Sequence, residues 1–131
     1  MTPEIIIGNA GGDHVSLKIG GRDDEGWSPA DIEVWCDGWE GRVKGSFLKG
    51  ELSHFAQEIR SLLGNLSGTA RLYPIEPNVS MTLAGDGKGH ITVKGLAQNT
   101  FGSGTQFNFC FEIDQTYLTK IVNSLLAADP I

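Results

Sequence analysis

The stretch that decides the fold is Asp31-Ile32-Glu33-Val34-Trp35-Cys36-Asp37-Gly38-Trp39-Glu40-Gly41-Arg42-Val43-Lys44. Polar and apolar residues alternate on both sides of Asp37-Gly38, a dipeptide that favours the two-residue turn of a β-hairpin. This turn pairs Cys36 with Trp39, Val34 with Gly41 and Ile32 with Val43 on a core face. The other face then sets Trp35 against Glu40, Glu33 against Arg42 and Asp31 against Lys44, so that charges match across the strands. A slip of one residue would break the turn, the apolar pairs and the charge pairs together, so the sequence predicts this register.

Period-two patterns extend the hairpin into a sheet of about eight strands. Aromatic or aliphatic side chains alternate with polar ones within residues 15–19, 79–83 and 107–113, which is typical of half-buried antiparallel strands. Shorter patterns predict five further strands, at residues 4–7, 31–36, 39–48, 68–72 and 90–95. Clusters of Gly and Asn separate these segments and favour turns between them.

Two segments change to a helical period. Apolar residues at helical spacing predict amphipathic helices at about 51–63 and about 115–127, the second opened by Asp114 as an N-cap. The stripe of the second helix is predicted to include Tyr117. The order is four strands, a helix, four strands and a helix, which predicts an α+β fold with both helices packed on a mainly antiparallel sheet. At 131 residues, the length fits a single domain over residues 1–131.

Charge and composition exclude several classes of protein. The net charge is −6, and residues 1–60 hold eleven carboxylates against six Lys and Arg. Without a basic cluster, direct binding to nucleic acid is not expected. No apolar run approaches the roughly 20 residues of a membrane span, and no signal peptide opens the chain, so we expect a cytoplasmic protein without membrane contact. Cys36 and Cys110 lack metal-ligand spacing and are predicted to be two buried free thiols.

Catalytic and cofactor motifs are incomplete throughout the chain. Residues 8–12 resemble a phosphate-binding loop, but a strand pattern follows them instead of a helix, so they predict a glycine-rich hairpin turn. Gly102-Ser103-Gly104 lacks the full motif of a nucleophilic serine. The three histidines are isolated, and Asp23-Asp24-Glu25-Gly26 lacks the alternating ligands of a calcium loop. We therefore predict no catalytic residue, no cofactor and no metal, and a protein that is not an enzyme.

The three tryptophans lie within residues 22–40, together with seven carboxylates and one Arg. Trp39 shares the parity of Val43 and Phe47, which predicts a core position. Trp35 shares the charged face, where it is either covered by a helix or loop or exposed as a contact. Trp27 lies outside the predicted elements. Its side chain either packs against the domain and so anchors the acidic loop, or is exposed for contact with a partner.

The C-terminal half of the chain resembles the WapI-type immunity protein family of bacteria. The resemblance lies in residues 85–95, in residues 109–118, in the first helix, in Gly68 and in the Gly-x-Val-x-Gly-x-Phe pattern of residues 41–47. It extends over about residues 39–126 and leaves residues 1–30 outside. Its most specific segments, the Gly87–His90 turn and the start of the second helix, also have structural interpretations as a hairpin loop and an N-capped helix.

The resemblance implies a protein that protects a cell by stoichiometric binding of a cognate toxin domain, without catalysis. A nuclease toxin tends to be basic, and an acidic inhibitor would be steered towards it. The residues expected to contact the partner are Asp23, Asp24, Glu25, Trp27, Trp35 and Glu40. The alternative is a small cytoplasmic protein-binding or scaffold domain with another partner, which the sequence leaves open.

Overall fold

The eight predicted strands divide between two antiparallel sheets of four strands each. In the computed structural model, residues 3–130 are described. The first sheet has the order β1 (Glu4–Gly8), β2 (His14–Ile19), β3 (Trp27–Cys36) and β4 (Trp39–Leu48). The second sheet has the order β5 (Ser67–Leu72), β6 (Val79–Asp86), β7 (His90–Ala97) and β8 (Phe107–Asp114). The predicted α+β class is confirmed, and each sheet is a simple meander of neighbouring strands.

Both predicted helices are present. The first, α1, spans Glu51–Asn65, and the second, α2, spans Leu118–Ala128 after a 3-10 turn at Gln115–Tyr117. Asp114 caps that turn as predicted, because its Oδ1 accepts a hydrogen bond of 2.8 Å from the Thr116 N–H. Tyr117 was expected in the buried stripe but is exposed, since the tighter 3-10 turn rotates it away from the buried face of α2.

The two halves of the chain have the same order, four strands followed by a helix, and they share their packing. Each helix contacts the first strand of the other half: α1 packs against β5, and α2 packs against β1. The two helices also pack against each other. The buried core therefore contains side chains from both halves in one continuous cluster.

The predicted register of the central hairpin is confirmed at all six pairs. Asp37 and Gly38 have φ values of 51° and 82°, and both central residues of a type I′ turn need a positive φ. Across the polar face, Lys44 Nζ lies 2.9 Å from Asp31 Oδ1, and Arg42 Nε lies 3.6 Å from Glu33 Oε1. On the other face, Ile32 and Val34 are buried as expected.

The core position predicted for Trp39 is wrong, because 73% of its surface is exposed. Along this face of β4, burial decreases from Phe47 through Val43 to Trp39, which lies beside the turn. The ring of Phe107, from the second sheet, covers Gly41. Residue parity identifies the face of a strand correctly, but it does not show how far along the strand the second sheet reaches.

The prediction of two buried thiols is correct for Cys36 and wrong for Cys110. Cys110 is exposed, because Phe109, Phe111 and Ile113 take the core-facing positions of β8 and Cys110 alternates with them. The Cys36 thiol donates to the Cys110 carbonyl oxygen at 3.4 Å, so the two residues meet where β3 approaches β8.

The start of β3 is earlier than expected. Trp27, which the sequence placed outside the regular elements, is the first residue of β3 and pairs with Leu48 at the end of β4. Among residues 3–130, no helix is both long and apolar enough to cross a membrane.

Candidate functional site

The six residues expected to contact a partner lie on the first sheet, but at opposite ends of the β3–β4 hairpin. Asp23, Asp24 and Glu25 form the loop before β3, and Trp27 begins that strand; we call these four residues the loop end. Trp35 and Glu40 form a cross-strand pair next to the Asp37-Gly38 turn. The eight residues of strand between Trp27 and Trp35 correspond to about 26 Å. The structure therefore separates the six residues into two groups.

Within the loop end, Asp23 shapes the backbone. Its Oδ1 accepts hydrogen bonds of 2.9 Å from the N–H groups of both Glu25 and Trp27. Its own N–H donates to the Trp27 carbonyl oxygen at 2.8 Å. Asp24 and Glu25 are fully available at the surface, whereas Trp27 is half-buried. Asp24 and Glu25 are thus the side chains of this loop that a partner would meet first.

Arg22, which directly precedes the loop end in sequence, is engaged elsewhere. Its Nη2 lies 2.7 Å from Oδ1 of Asp129, a buried carboxylate at the end of α2. Oδ2 of Asp129 also accepts from the N–H groups of Gly50 and Ser53, at 2.9 and 3.0 Å, and so caps the first turn of α1. Sequence reasoning missed this network, because its members are separated by up to 107 residues and form no motif.

Trp35 packs on one side against His14 of the neighbouring strand. The two rings are stacked with centroids 6.2 Å apart and planes inclined by 14°. His14 is buried, and its Nδ1 lies 2.8 Å from the Gly12 carbonyl oxygen. Trp35 itself remains 38% exposed, so it is both supported by a neighbour and accessible to a partner.

A cleft of about 460 Å³ separates the β1–β2 turn from the β3–β4 turn. A hydrogen bond of 3.0 Å from the Asp37 N–H to Asp13 Oδ1 joins the two turns. Trp35 and the exposed Trp39 both line this cleft, together with His14 and Glu33. We call this surface the turn end; it comprises Asp13, His14, Glu33, Trp35, Asp37, Trp39 and Glu40.

The turn end is strongly acidic. Its four carboxylates, on Asp13, Glu33, Asp37 and Glu40, are opposed by one guanidinium, that of Arg42, which leaves a formal charge of −3. Arg42 Nε lies 2.5 Å from Glu40 Oε1. Sequence reasoning named Trp35 and Glu40 of this surface and missed its other five members, Asp13, His14, Glu33, Asp37 and Trp39. Asp13 lies in the turn before β2 and His14 begins β2, and no local pattern shows that β2 pairs with β3. The position of Trp39 beside the β3–β4 turn, in contrast, was a usable signal.

The Gly87–His90 turn is organised by Asp86. Its Oδ1 accepts from the N–H groups of Lys88 and His90, and its Oδ2 lies 2.9 Å from His90 Nδ1. The Lys88 N–H contributes most to lowering the pKa of Asp86, and the bond to Asp86 raises the pKa of His90. The Gly89 carbonyl oxygen accepts from the Gln115 N–H at 2.9 Å, which joins the turn to the start of the 3-10 turn before α2. These contacts give the turn a structural role.

Within residues 3–130, no group of three or more His, Cys, Asp or Glu side chains is placed to hold a metal ion. What the first sheet presents is a surface of exposed aromatic and acidic side chains. The sequence pattern of the immunity protein WapI-like family matches residues 5–128. The chain belongs to the WapI-like immunity protein family.

The family match is longer than the resemblance over residues 39–126 suggested. It includes most of residues 1–30, which had been placed outside, and therefore also includes the loop end. The assignment suggests an immunity function and implies a cognate toxin as the partner of this WapI-like protein.

Other comparisons concern the fold alone. No curated protein matches the chain in sequence. Crystal structures of MRP1/MRP2 of Trypanosoma are similar with a TM-score of 0.50 and 13% sequence identity, over 97% of this chain and 82% of that chain. At this identity, the likeness shows that the two-sheet architecture of the WapI-like protein also occurs in a distant protein.

Proposed function

We propose that this WapI-like protein neutralises a cognate toxin domain in the cytoplasm by stoichiometric protein–protein binding, without catalysis. The observation that carries this proposal is the family match over residues 5–128. The surface of the first sheet supports it, because exposed Trp residues and unpaired carboxylates are the side chains that anchor and steer protein partners.

Charge favours a basic toxin domain, such as a nuclease, as the partner. The net charge of the protein is −6, and most of it comes from the half that carries the loop end and the turn end. A basic toxin would be attracted to this half at long range, and the bound inhibitor would cover the surface with which such a toxin holds phosphate.

One partner is large enough to contact both ends of the hairpin. A protein–protein interface of standard size buries about 800 Å² per partner, which corresponds to a patch about 30 Å across. The distance between Trp27 and Trp35 is about 26 Å along the strand. We therefore keep all six predicted residues as contacts: Asp23, Asp24, Glu25, Trp27, Trp35 and Glu40.

A toxin gene immediately upstream of this gene would support the proposal, and co-expression with the toxin domain of such a gene tests the function. We expect the wild-type protein to restore growth and to form a one-to-one complex with the purified toxin domain. A protein that neither protects cells nor binds this toxin would contradict the proposal, and it would favour a scaffold domain with another partner.

Substitution of Asp24 and Glu25 by Ser tests the acidic loop without removing Asp23, which shapes it. At low ionic strength we expect the association rate with a basic toxin to fall by about tenfold, since steering depends on these charges. The matched control removes two exposed carboxylates from the second half, with Glu76→Ser and Glu112→Ser. If both double variants lowered the association rate equally, the rate would depend on net charge alone, and the loop end would not be a contact.

A further inference from the structure

We infer that the turn end binds a cationic side chain, an arginine guanidinium or a lysine ammonium, presented by the protein partner. The inference rests on the proposed function, because the partner that carries this side chain would be the toxin. It adds to that function the residues that hold the partner and the chemistry that they recognise.

The first argument is the exposure of Trp39. A tryptophan with 73% of its surface in contact with water is unusual, since burying its ring would be favourable. Neighbours hold the surface in place: the two turns are joined through Asp13 and Asp37, and Trp35 is stacked on the buried His14. The Trp35 ring and the two turns are therefore already in place before a partner binds, which lowers the entropic cost of binding.

The second argument is the shape of the surface. Trp35 and Trp39 line one cleft of about 460 Å³, which is large enough for a single long side chain but small for a folded segment. The Trp35 side chain lies on the polar face of the hairpin with His14 and Glu33, and Trp39, which points to the opposite face, borders the cleft beside the turn. A Lys or Arg stem is apolar along most of its length and suits such a cleft.

The third argument is charge. Glu33 lines the cleft, and Asp13, Asp37 and Glu40 lie in or beside its walls, whereas Arg42 supplies the one opposing charge. Carboxylates of this density repel an anion and attract a cation. Tryptophan is also the aromatic side chain with the strongest cation–π attraction. Aromatic surface and negative charge together favour an arginine or lysine side chain over an apolar one.

An NMR titration with N-acetyl-arginine amide tests the chemistry without the toxin. The three indole N–H signals are assigned with Trp→Phe variants at positions 27, 35 and 39. We expect saturable shifts of the Trp35 and Trp39 signals, with affinity in the millimolar range that is normal for a single cation–π site. Trp27 lies at the other end of the hairpin and serves as the internal control, so its signal should not move.

N-acetyl-citrulline amide has the shape of the arginine probe but no charge, and it should not shift the Trp35 or Trp39 signals. Equal shifts with citrulline amide or with N-acetyl-leucine amide would overturn the inference in favour of an apolar site. Equal shifts of all three indole signals with arginine amide would also overturn it, because they would show unspecific attraction to the acidic sheet.

Binding to a purified toxin domain from which this protein protects cells separates the inference from the proposed function. We expect Trp39→Leu to weaken that complex by about thirtyfold, as for an interface anchor, whereas Trp39→Phe retains most of the affinity. Because Trp39 is mostly exposed, neither variant should change the thermal unfolding midpoint by much. If the wild-type protein binds the toxin and Trp39→Leu binds equally well, the inference is wrong and the function stands. If the wild-type protein does not bind the toxin but the arginine amide shifts persist, the function is wrong and the cation site stands.

Discussion

Single glycines explain the regular pattern Gly41-x-Val43-x-Gly45-x-Phe47. A Cβ atom added at Gly41 would overlap the ring of Phe107, and one added at Gly45 would lie 2.9 Å from Ile32 Cδ1. Gly41 thus lets β4 approach Phe107 of the second sheet, and Gly45 leaves room for Ile32 of the same sheet and for Asn78, which precedes β6. At the residue scale, this pattern records packing between sheets and gives no evidence about partners.

Substitution of Gly41 by Ala should destabilise the protein. The added methyl group cannot be placed unless the Phe107 ring moves, and overpacking of this kind costs about 1–3 kcal/mol in the free energy of unfolding. Urea denaturation followed by Trp fluorescence measures this loss. Replacement of Phe107 by Leu in the Gly41→Ala background should return part of the stability, because the smaller side chain leaves room for the methyl group.

Gly64 provides the matched control for Gly41. It lies inside α1, and a Cβ built there meets no atom within 4 Å in the described structure. Gly64→Ala should therefore stabilise the protein by about 0.5–1 kcal/mol, since alanine loses less backbone entropy in a helix. The explanation of the pattern fails if the two Gly→Ala variants have the same stability.

At the scale of elements, local periodicity predicted much of the fold and left out what depends on distant contacts. The strands, both helices and the register of the central hairpin follow from alternation, helical spacing and the turn at Asp37-Gly38. The division into two sheets and the exposure of Trp39 do not, because alternation identifies the face of a strand but not what covers it. The candidate site shows the same limit. The predicted register covered residues 31–44 and left Trp27 outside the strand, and only the pairing of β2 with β3 brings His14 beside Trp35.

The link between the two helices is an element-scale feature that can be tested at Asp129. Asp129→Ala removes the acceptor for the first N–H groups of α1 and the partner of Arg22. We expect a loss of about 2 kcal/mol in the free energy of unfolding, as for a helix cap with a charged acceptor. Thermal and urea unfolding measure it.

A double-variant cycle shows whether this loss comes from the contacts seen. Asp129→Ala and Arg22→Met should be coupled by about 1 kcal/mol, because both remove the same ion pair. Glu112→Ala, which removes one exposed carboxylate from β8, should change stability by less than about 0.5 kcal/mol. Additive effects of the first two variants would contradict a contribution from the ion pair, and equal losses for Asp129→Ala and Glu112→Ala would contradict the proposed cap.

At the scale of the whole molecule, the first half carries both candidate surfaces and the second half supports it. All three tryptophans and eleven of the sixteen carboxylates lie in residues 1–60. Two elements of the second half contact the first half: β5 packs against α1, and α2 packs against β1. Because each helix packs against a strand of the other half, the apolar side chains of either sheet are buried only when both halves are folded. Partner binding at the hairpin should accordingly depend on the stability of the whole chain.

We therefore propose that residues 1–131 unfold as one cooperative domain, and two probes in different halves test this. Trp fluorescence reports on the first half, and the ¹⁹F signal of fluorotyrosine at Tyr117 reports on the second. Ile91→Val removes one methyl group from β7 in the core and should cost about 1 kcal/mol. Because the core is shared, we expect both probes to give the same urea midpoint and to shift together in the variant. A shift of the Tyr117 midpoint with an unchanged Trp midpoint would instead show two independent units, in which the surface that meets the toxin keeps its structure after the second half unfolds.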